Sequence, residues 1–185
     1  MVLTPGLQHK IPESFIGVDG IFPVIERERK NINNAIRQQI SKDGFFAVVG
    51  GCLQAFATVQ HILKAGISPS RIIMIDPLDS ADSVLFSETN DELENALYRQ
   101  MKEIKIYRGY TIIGIESQTS EGIESLIKVT VAFGNQNENI DIAVLLDSNR
   151  KFVDDDFFTA VNDSNIVYDG GLVIDNYFRT NDSSM

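Results

Sequence analysis

Five positions in one stretch have the types and spacing to hold a phosphate. Between Phe45 and Pro77 the chain reads FFAVVGGCLQAFATVQHILKAGISPSRIIMIDP. Laid on the pattern G-x-G-x-x-G/A, its turn supplies Gly50, Gly51, Cys52, Leu53, Gln54 and Ala55. In such a turn, backbone N–H groups aim at a diphosphate over the start of the next helix, where the helix dipole favours negative charge. A carboxylate ending the second strand accepts hydrogen bonds from a ribose, and Asp76 stands there. The pattern departs at its second glycine, which is Cys52, and a side chain at that point crowds the anion. Gly50, Gly51, Cys52, Ala55 and Asp76 therefore form either a site for NAD or the vestige of one that holds no cofactor.

Each of these residues has a plainer reading. A strand-to-helix turn needs a residue free to adopt positive φ whatever it binds. Asp76 can be a strand-end acid before Pro77. Cys52 could be a redox thiol, because a helix N-terminus favours a thiolate. With no second cysteine and no basic neighbour, an inert turn residue fits it better. His61 falls in mid-helix among Val59, Ile62 and Leu63, which suits a helix-surface histidine. His9 lies in a loop, and neither histidine has metal-ligand spacing around it. Asp154-Asp155-Asp156 lacks the alternating ligands of a calcium loop and suits a solvated helix start. No catalytic residue and no metal ligand are assigned.

The elements that must position the turn follow from periodicity. Phe45–Val49 is an apolar strand, and the helix after it carries Leu53, Phe56, Ala57, Val59, Ile62 and Leu63 before Gly66 stops it. Arg71–Ile75 is the second strand. Upstream, residues 1–6 are an apolar start and a turn. Residues 7–23 are a loop with one short extended piece at Phe15–Val18. Residues 24–41 form a helix marked by Ile25, Ile32, Ile36 and Ile40 and ended by Asp43-Gly44. Downstream, 78–87 is a loop, Thr89-Asn90-Asp91 caps a helix over 92–104, and Ile104–Tyr107 is a third strand. From Tyr110 the period changes to two. Thr111–Glu116, Ser125–Phe133 and Asn139–Leu146 read as a meander with turns at Ser120-Glu121-Gly122 and Gly134–Asn137, its last strand running on into the parallel sheet. A short helix over 154–162, a hairpin-like pair at 165–168 and 172–175, and an extended tail from Phe178 complete the chain. The fold expected is α/β, a Rossmann-like parallel sheet with helices on both faces and an antiparallel three-strand meander. Its divisions are 1–44, a connecting segment and helix; 45–150, the nucleotide-type domain with its meander; and 151–185, a return segment of the same module.

Composition narrows the partners. The chain has 185 residues, 43% of them hydrophobic, which is enough for a substantial core. A formal net charge of −10 argues against nucleic acid and anionic membrane. No apolar run approaches the roughly 20 residues of a membrane span, and MVLTPGLQHK contains no signal-peptide core. One cysteine precludes an internal disulfide and suits a reducing compartment.

Three features together resemble a known family: the glycine turn, the meander before a final apolar strand, and the tail GGLVIDNYFRTNDSSM. The tail resembles the V-D-x-x-x-R-T run of FAD/NAD(P)-dependent disulfide oxidoreductases, and LTPG at Leu3–Gly6 looks like that family's A-T-G return strand. The resemblance implies an inserted NAD-type domain with both connections to a flavin domain, and so an excerpt of a longer protein. It also implies departures from activity. Leu78-Asp79-Ser80 offers no arginine to a 2′-phosphate, and Asp147-Ser148-Asn149-Arg150-Lys151 stands where the reductases carry a G-R-R-P-N type run. More narrowly, Phe157–Asp182 and Gly66–Pro77 resemble the C-terminal oxidoreductase-like region of the cilia- and flagella-associated protein sixty-one family. That resemblance implies a non-catalytic scaffold domain in a motile-cilium axoneme, with other radial spoke proteins as partners. An NAD(P)/FAD-dependent reductase domain or a dinucleotide sensor are the rival readings.

Overall fold

The computed structural model describes residues 8–9, 12–40, 43–77, 96, 99, 101–120, 123–148, 151–152, 163, 175–177, 179 and 181. Among these the strands are β1 (Gln8–His9), β2 (Ile21–Pro23), β3 (Phe45–Val49), β4 (Ile72–Asp76), β5 (Lys105–Arg108), β6 (Thr111–Ser120), β7 (Ile123–Phe133), β8 (Gln136–Asp147) and β9 (Lys151–Phe152). The α-helices are α1 (Arg29–Gln39) and α2 (Leu53–Lys64), with 3-10 turns at Glu13–Phe15, Glu26–Glu28 and Pro69–Arg71. The chain divides into two compact units, Ile11–Arg150 and a second made of Met1–Lys10 with Lys151–Met185. In the second, β1 and β9 pair antiparallel, Gln8 opposite Phe152.

The larger unit holds one mixed sheet in the order β5-β4-β3-β8-β7-β6, with β2 also paired to β8. β3, β4, β5 and β8 run parallel, and β6, β7 and β8 form the expected meander. β4 is buried at every residue, and β3 at all but Phe45. That is why FAVV and IIMID are unbroken apolar runs before their last residue: a central parallel strand is covered on both faces.

β8 joins the two kinds of pairing. Its first half lies antiparallel to β7 as far as Ile142, and its second half lies parallel to β3. The register slips at the junction, where Phe45 faces Ile142 but Phe46 faces Val144. Ala143 is the extra residue, a bulge that reverses which side chains face which way. Ile140 and Ile142 pack with the meander, while Val144 and Leu146 pack with the helices. Two glycines make room for it. At Gly44, with φ +116°, a Cβ would lie 2.9 Å from the Ala143 Cβ. At Gly20, with φ +87°, it would lie 3.2 Å from the Ala143 carbonyl oxygen.

The α/β, Rossmann-like character is as expected, but the two described α-helices share a face. Ile32 and Ile36 of α1 and Phe56, Val59 and Ile62 of α2 lie in one core with Phe46, Ile72 and Met74. The cause is topological. From β2 through α1 to β3, and from β3 through α2 to β4, the chain steps across the sheet in one direction. Crossovers of one hand then lay both helices on the same side. The other face is covered by the meander's own side chains, Ile127, Val129 and Val131, with Phe15 and Tyr107.

Smaller differences have local causes. The extended piece expected at Phe15–Val18 falls at Ile21–Pro23, because Phe15 closes a 3-10 turn and β8 offers its edge to residues 21–23. Pro23 is tolerated there because the strand is an edge. The polar turn between β7 and β8 shrinks to Gly134-Asn135, with Gln136 already in the ladder opposite Phe133. α2 ends in a Schellman motif. The N–H of Gly66 donates to Leu63 at 3.0 Å, and that of Ile67 donates to Ile62 at 3.4 Å. Arg71 holds the end of α1 through bonds to the carbonyls of Gln39, Ile40 and Gly44. Ala96, Arg99 and Asp163 are helical. The start, the loop at 78–87, the cap at 89–91 and most of the return segment from 154 onward lie outside the described residues.

The curl of the sheet brings its β5 edge to the meander tip. The Tyr107 hydroxyl donates to Glu138 Oε1 at 2.6 Å, and Lys105 Nζ donates to the same oxygen at 2.9 Å. These two bonds, Tyr107's first, hold the Glu138 carboxyl below its ordinary value, while hydrogen bonds to Tyr107 and then Glu138 raise Lys105. The Glu138 contribution to stability is present above the unfolded carboxyl value of 4.5 and is lost as pH falls through the lower folded value. The Lys105 contribution is lost as pH rises past 10.5. Both groups are largely exposed, so Glu138→Gln should cost no more than about 1 kcal/mol at neutral pH. It should also flatten the acid limb of the urea-denaturation stability profile below pH 4.5. An acid limb identical to wild type would contradict the clamp.

Candidate functional site

The five candidate residues converge at the C-terminal ends of the parallel strands, the edge at which α/β sheets hold ligands. β3 ends at Val49, and Gly50 turns the chain with φ +125°, a conformation closed to other residues. The Gly50 N–H donates to the Ile75 carbonyl at 2.9 Å, tying the turn to β4. Cys52 is the N-cap of α2 in extended conformation, and its carbonyl accepts from the N–H of Ala55 at 2.9 Å. Ala55 is fully buried in the core that α2 shares with the sheet.

The side chains at the turn are committed to the protein itself. The Cys52 thiol donates to the Ser148 carbonyl at 3.1 Å and so bridges from α2 to the end of β8. Cys52 makes no side-chain cap to its own helix. Ser148 is fully buried, its N–H donates to the Val49 carbonyl at 2.9 Å, and its hydroxyl lies 3.5 Å from that of Thr58. Next to it, the Gln54 side-chain amide donates to the Val24 carbonyl, and the Val24 N–H donates to the Asp147 carbonyl at 2.8 Å. Asp147 is fully buried as well. Its burial is not legible in a run that reads as a strand end followed by a polar loop.

Asp76 ends β4 where a ribose-binding acid belongs, yet it is 3% exposed. Its carboxylate rests on the turn. A Cβ placed on Gly51 would lie 2.4 Å from Asp76 Oδ1 and 2.9 Å from Cγ. Gly51 is therefore required for space, whereas Gly50 is required for backbone angle. The spacing requirement on Gly51 is not legible in the sequence, because its pairing with Asp76 spans 25 residues and leaves no local pattern.

Other singled-out residues lie elsewhere. His61 is exposed on α2, with Nε2 2.8 Å from Asn33 Oδ1 of α1, and serves as a helix-to-helix contact. His9 sits in β1 of the other unit. Asp154, Asp155 and Asp156 lie outside the described residues, and among the described residues no cluster of three His, Cys, Asp or Glu could hold a metal. The D-x-x-x-R spacing of the tail closes on itself. Arg179 donates to Asp175 Oδ2 from Nε at 3.0 Å and from NH2 at 2.8 Å, and Asp175 Oδ1 accepts from the N–H groups of Tyr177 and Arg179.

Gly51→Ala should lower stability by about 1–3 kcal/mol through its clash with the Asp76 carboxylate. Asp76→Ala should remove the clash, so the double variant should be more stable than the sum of the singles by at least about 0.5 kcal/mol in denaturant unfolding. Additive losses would show that the two residues do not touch.

No family model matches the chain. Among solved structures it is similar to an NAD-dependent persulfide reductase from A. fulgidus, with a TM-score of 0.69 at 14% identity. The match covers 96% of this chain and 30% of that reductase chain. The likeness shows the fold alone, a Rossmann-like α/β fold, and this chain spans less than a third of its neighbour's length.

Proposed function

We propose that this chain is a non-catalytic structural domain, a nicotinamide-type oxidoreductase module that serves as a protein-binding platform. The observation that carries the reading is the closed turn. A diphosphate needs bare main chain at the second glycine position. Here a thiol stands there, bonded to Ser148 at 3.1 Å. A ribose needs a carboxylate turned toward it, and here Asp76 is buried with its carboxylate against Gly51. The residues present do not fit a bound dinucleotide without rearrangement. The resemblance of Phe157–Asp182 to the ciliary family supports axonemal radial spoke proteins as the partners, with neither nucleic acid nor membrane among them.

A second reading rests on what the turn has kept. Gly50 holds φ +125°, Ala55 fills the third glycine position, and Asp76 ends β4. If the thiol and the carboxylate swing aside, NAD would lie across them, either as a sensed ligand or as the donor to a flavin domain elsewhere in a longer protein. The protein's part would then be positioning, with the redox chemistry belonging to the cofactors.

Thermal unfolding separates the two. A ligand at about 100 times its Kd adds roughly 2.7 kcal/mol to stability. The scaffold reading expects an unchanged melting temperature in NADH, NADPH or FAD. A clear upward shift in any one of them would replace it with the second reading.

A further inference from the structure

In a chain of net charge −10, the segment Glu26–Arg37 carries four cations and two acids. Within the segment Glu26 is ion-paired and Glu28 is hydrogen-bonded. Arg29 NH1 pairs with Glu26 Oε1 at 3.3 Å, and Asn31 Nδ2 donates to Glu28 Oε2 at 2.8 Å. Arg27, Lys30 and Arg37 remain, all exposed and without an ion pair among the described residues. Their spacing, with Asn34 between Lys30 and Arg37, is three, four and three residues, which places them in one stripe that starts in the 3-10 turn at Glu26–Glu28 and runs on along α1. The stripe, with Glu26, Arg29 and Asn33, lines an open groove of about 460 Å³.

We infer that this stripe docks an acidic segment of a partner protein. The chemistry, length and charge of the stripe favour that occupant. Arg27 and Arg37 bind carboxylates in a planar, two-bond geometry, and the asparagine amides can donate to backbone carbonyls of the same segment. Ten residues of helix rise about 15 Å, which an extended peptide covers in about five residues at 3.3 Å each. The charge is local. At a Debye length of about 8 Å a short acidic segment feels the stripe, whereas a long polyanion also meets the acidic remainder of the chain. A nucleic acid is thereby disfavoured. The inference deepens the platform reading by naming a surface and a partner chemistry, but it rests on α1 and not on the turn.

The test uses the whole 185-residue chain and a fluorescein-labelled hexaglutamate peptide, read by anisotropy. Binding is expected at about 0.1 M salt and should be lost at about 1 M, where the Debye length falls to about 3 Å. Charge reversal by R27E, K30E and R37E together should weaken it at least about tenfold, and R27Q with R37Q should give an intermediate loss. All positions are exposed, so both variants should melt with wild type. Failure of the wild-type chain to bind would overturn the proposal, as would equal binding by a variant. A hexanucleotide bound as tightly through the same residues would overturn it in favour of a nucleic acid. Dinucleotide-induced stabilisation reports on Gly50–Asp76 instead, so this inference and the function reading fail separately.

Discussion

The structure depends on a single strand that changes partners partway along. β8 is antiparallel to β7 over its first half and parallel to β3 over its second, and the bulge at Ala143 performs the change. Without the extra residue, Ile142 and Val144 would face the same side, and one of them would leave its core. With it, Ile140 and Ile142 serve the meander and Val144 and Leu146 serve the helices. The glycines at 20 and 44 are the steric condition for that bulge, since a Cβ at either would press on Ala143. The same strand delivers Asp147 and Ser148 to the end of the sheet, where Ser148 receives the Cys52 thiol. The joining of two kinds of sheet and the closing of the turn are therefore one constraint.

Much of this architecture is written in local patterns. FAVV and IIMI are continuous apolar runs because both faces are covered, and the change to period two at Tyr110 marks where one face meets solvent. In NIDIAVLLD the alternation of Ile140 and Ile142 gives way to four apolar residues in a row, which is the bulge and the change of partner seen from the sequence. What was not legible is short or distant. β2 has three residues and owes its existence to an edge that β8 leaves open, so no periodicity announces it. The placement of both α-helices on one face follows from strand order, which a single βαβ unit does not specify.

At the candidate site, residue types were legible and their relations were not. The glycine turn, the cap position of Cys52 and the strand-end acid all stand where spacing puts them. The Cys52 thiol reaches Ser148, 96 residues away, and the Asp76 carboxylate lies on Gly51, 25 residues back. Such contacts exist only once the sheet has formed, and they decide between an open site and a closed one. The cationic stripe that leads into α1 is the converse case. Its spacing is local, but its lack of partners appears only when the neighbours of Arg27, Lys30 and Arg37 are known.

The turn is filled by the protein's own side chains. The chain's one cysteine lies at the point where a diphosphate would sit, so its reaction with iodoacetamide reports on occupancy directly. The rate of Cys52 alkylation should be the same with and without saturating NAD. A rate that falls as NAD is added, in proportion to a single binding curve, would show a dinucleotide lying over Cys52 and contradict a filled turn.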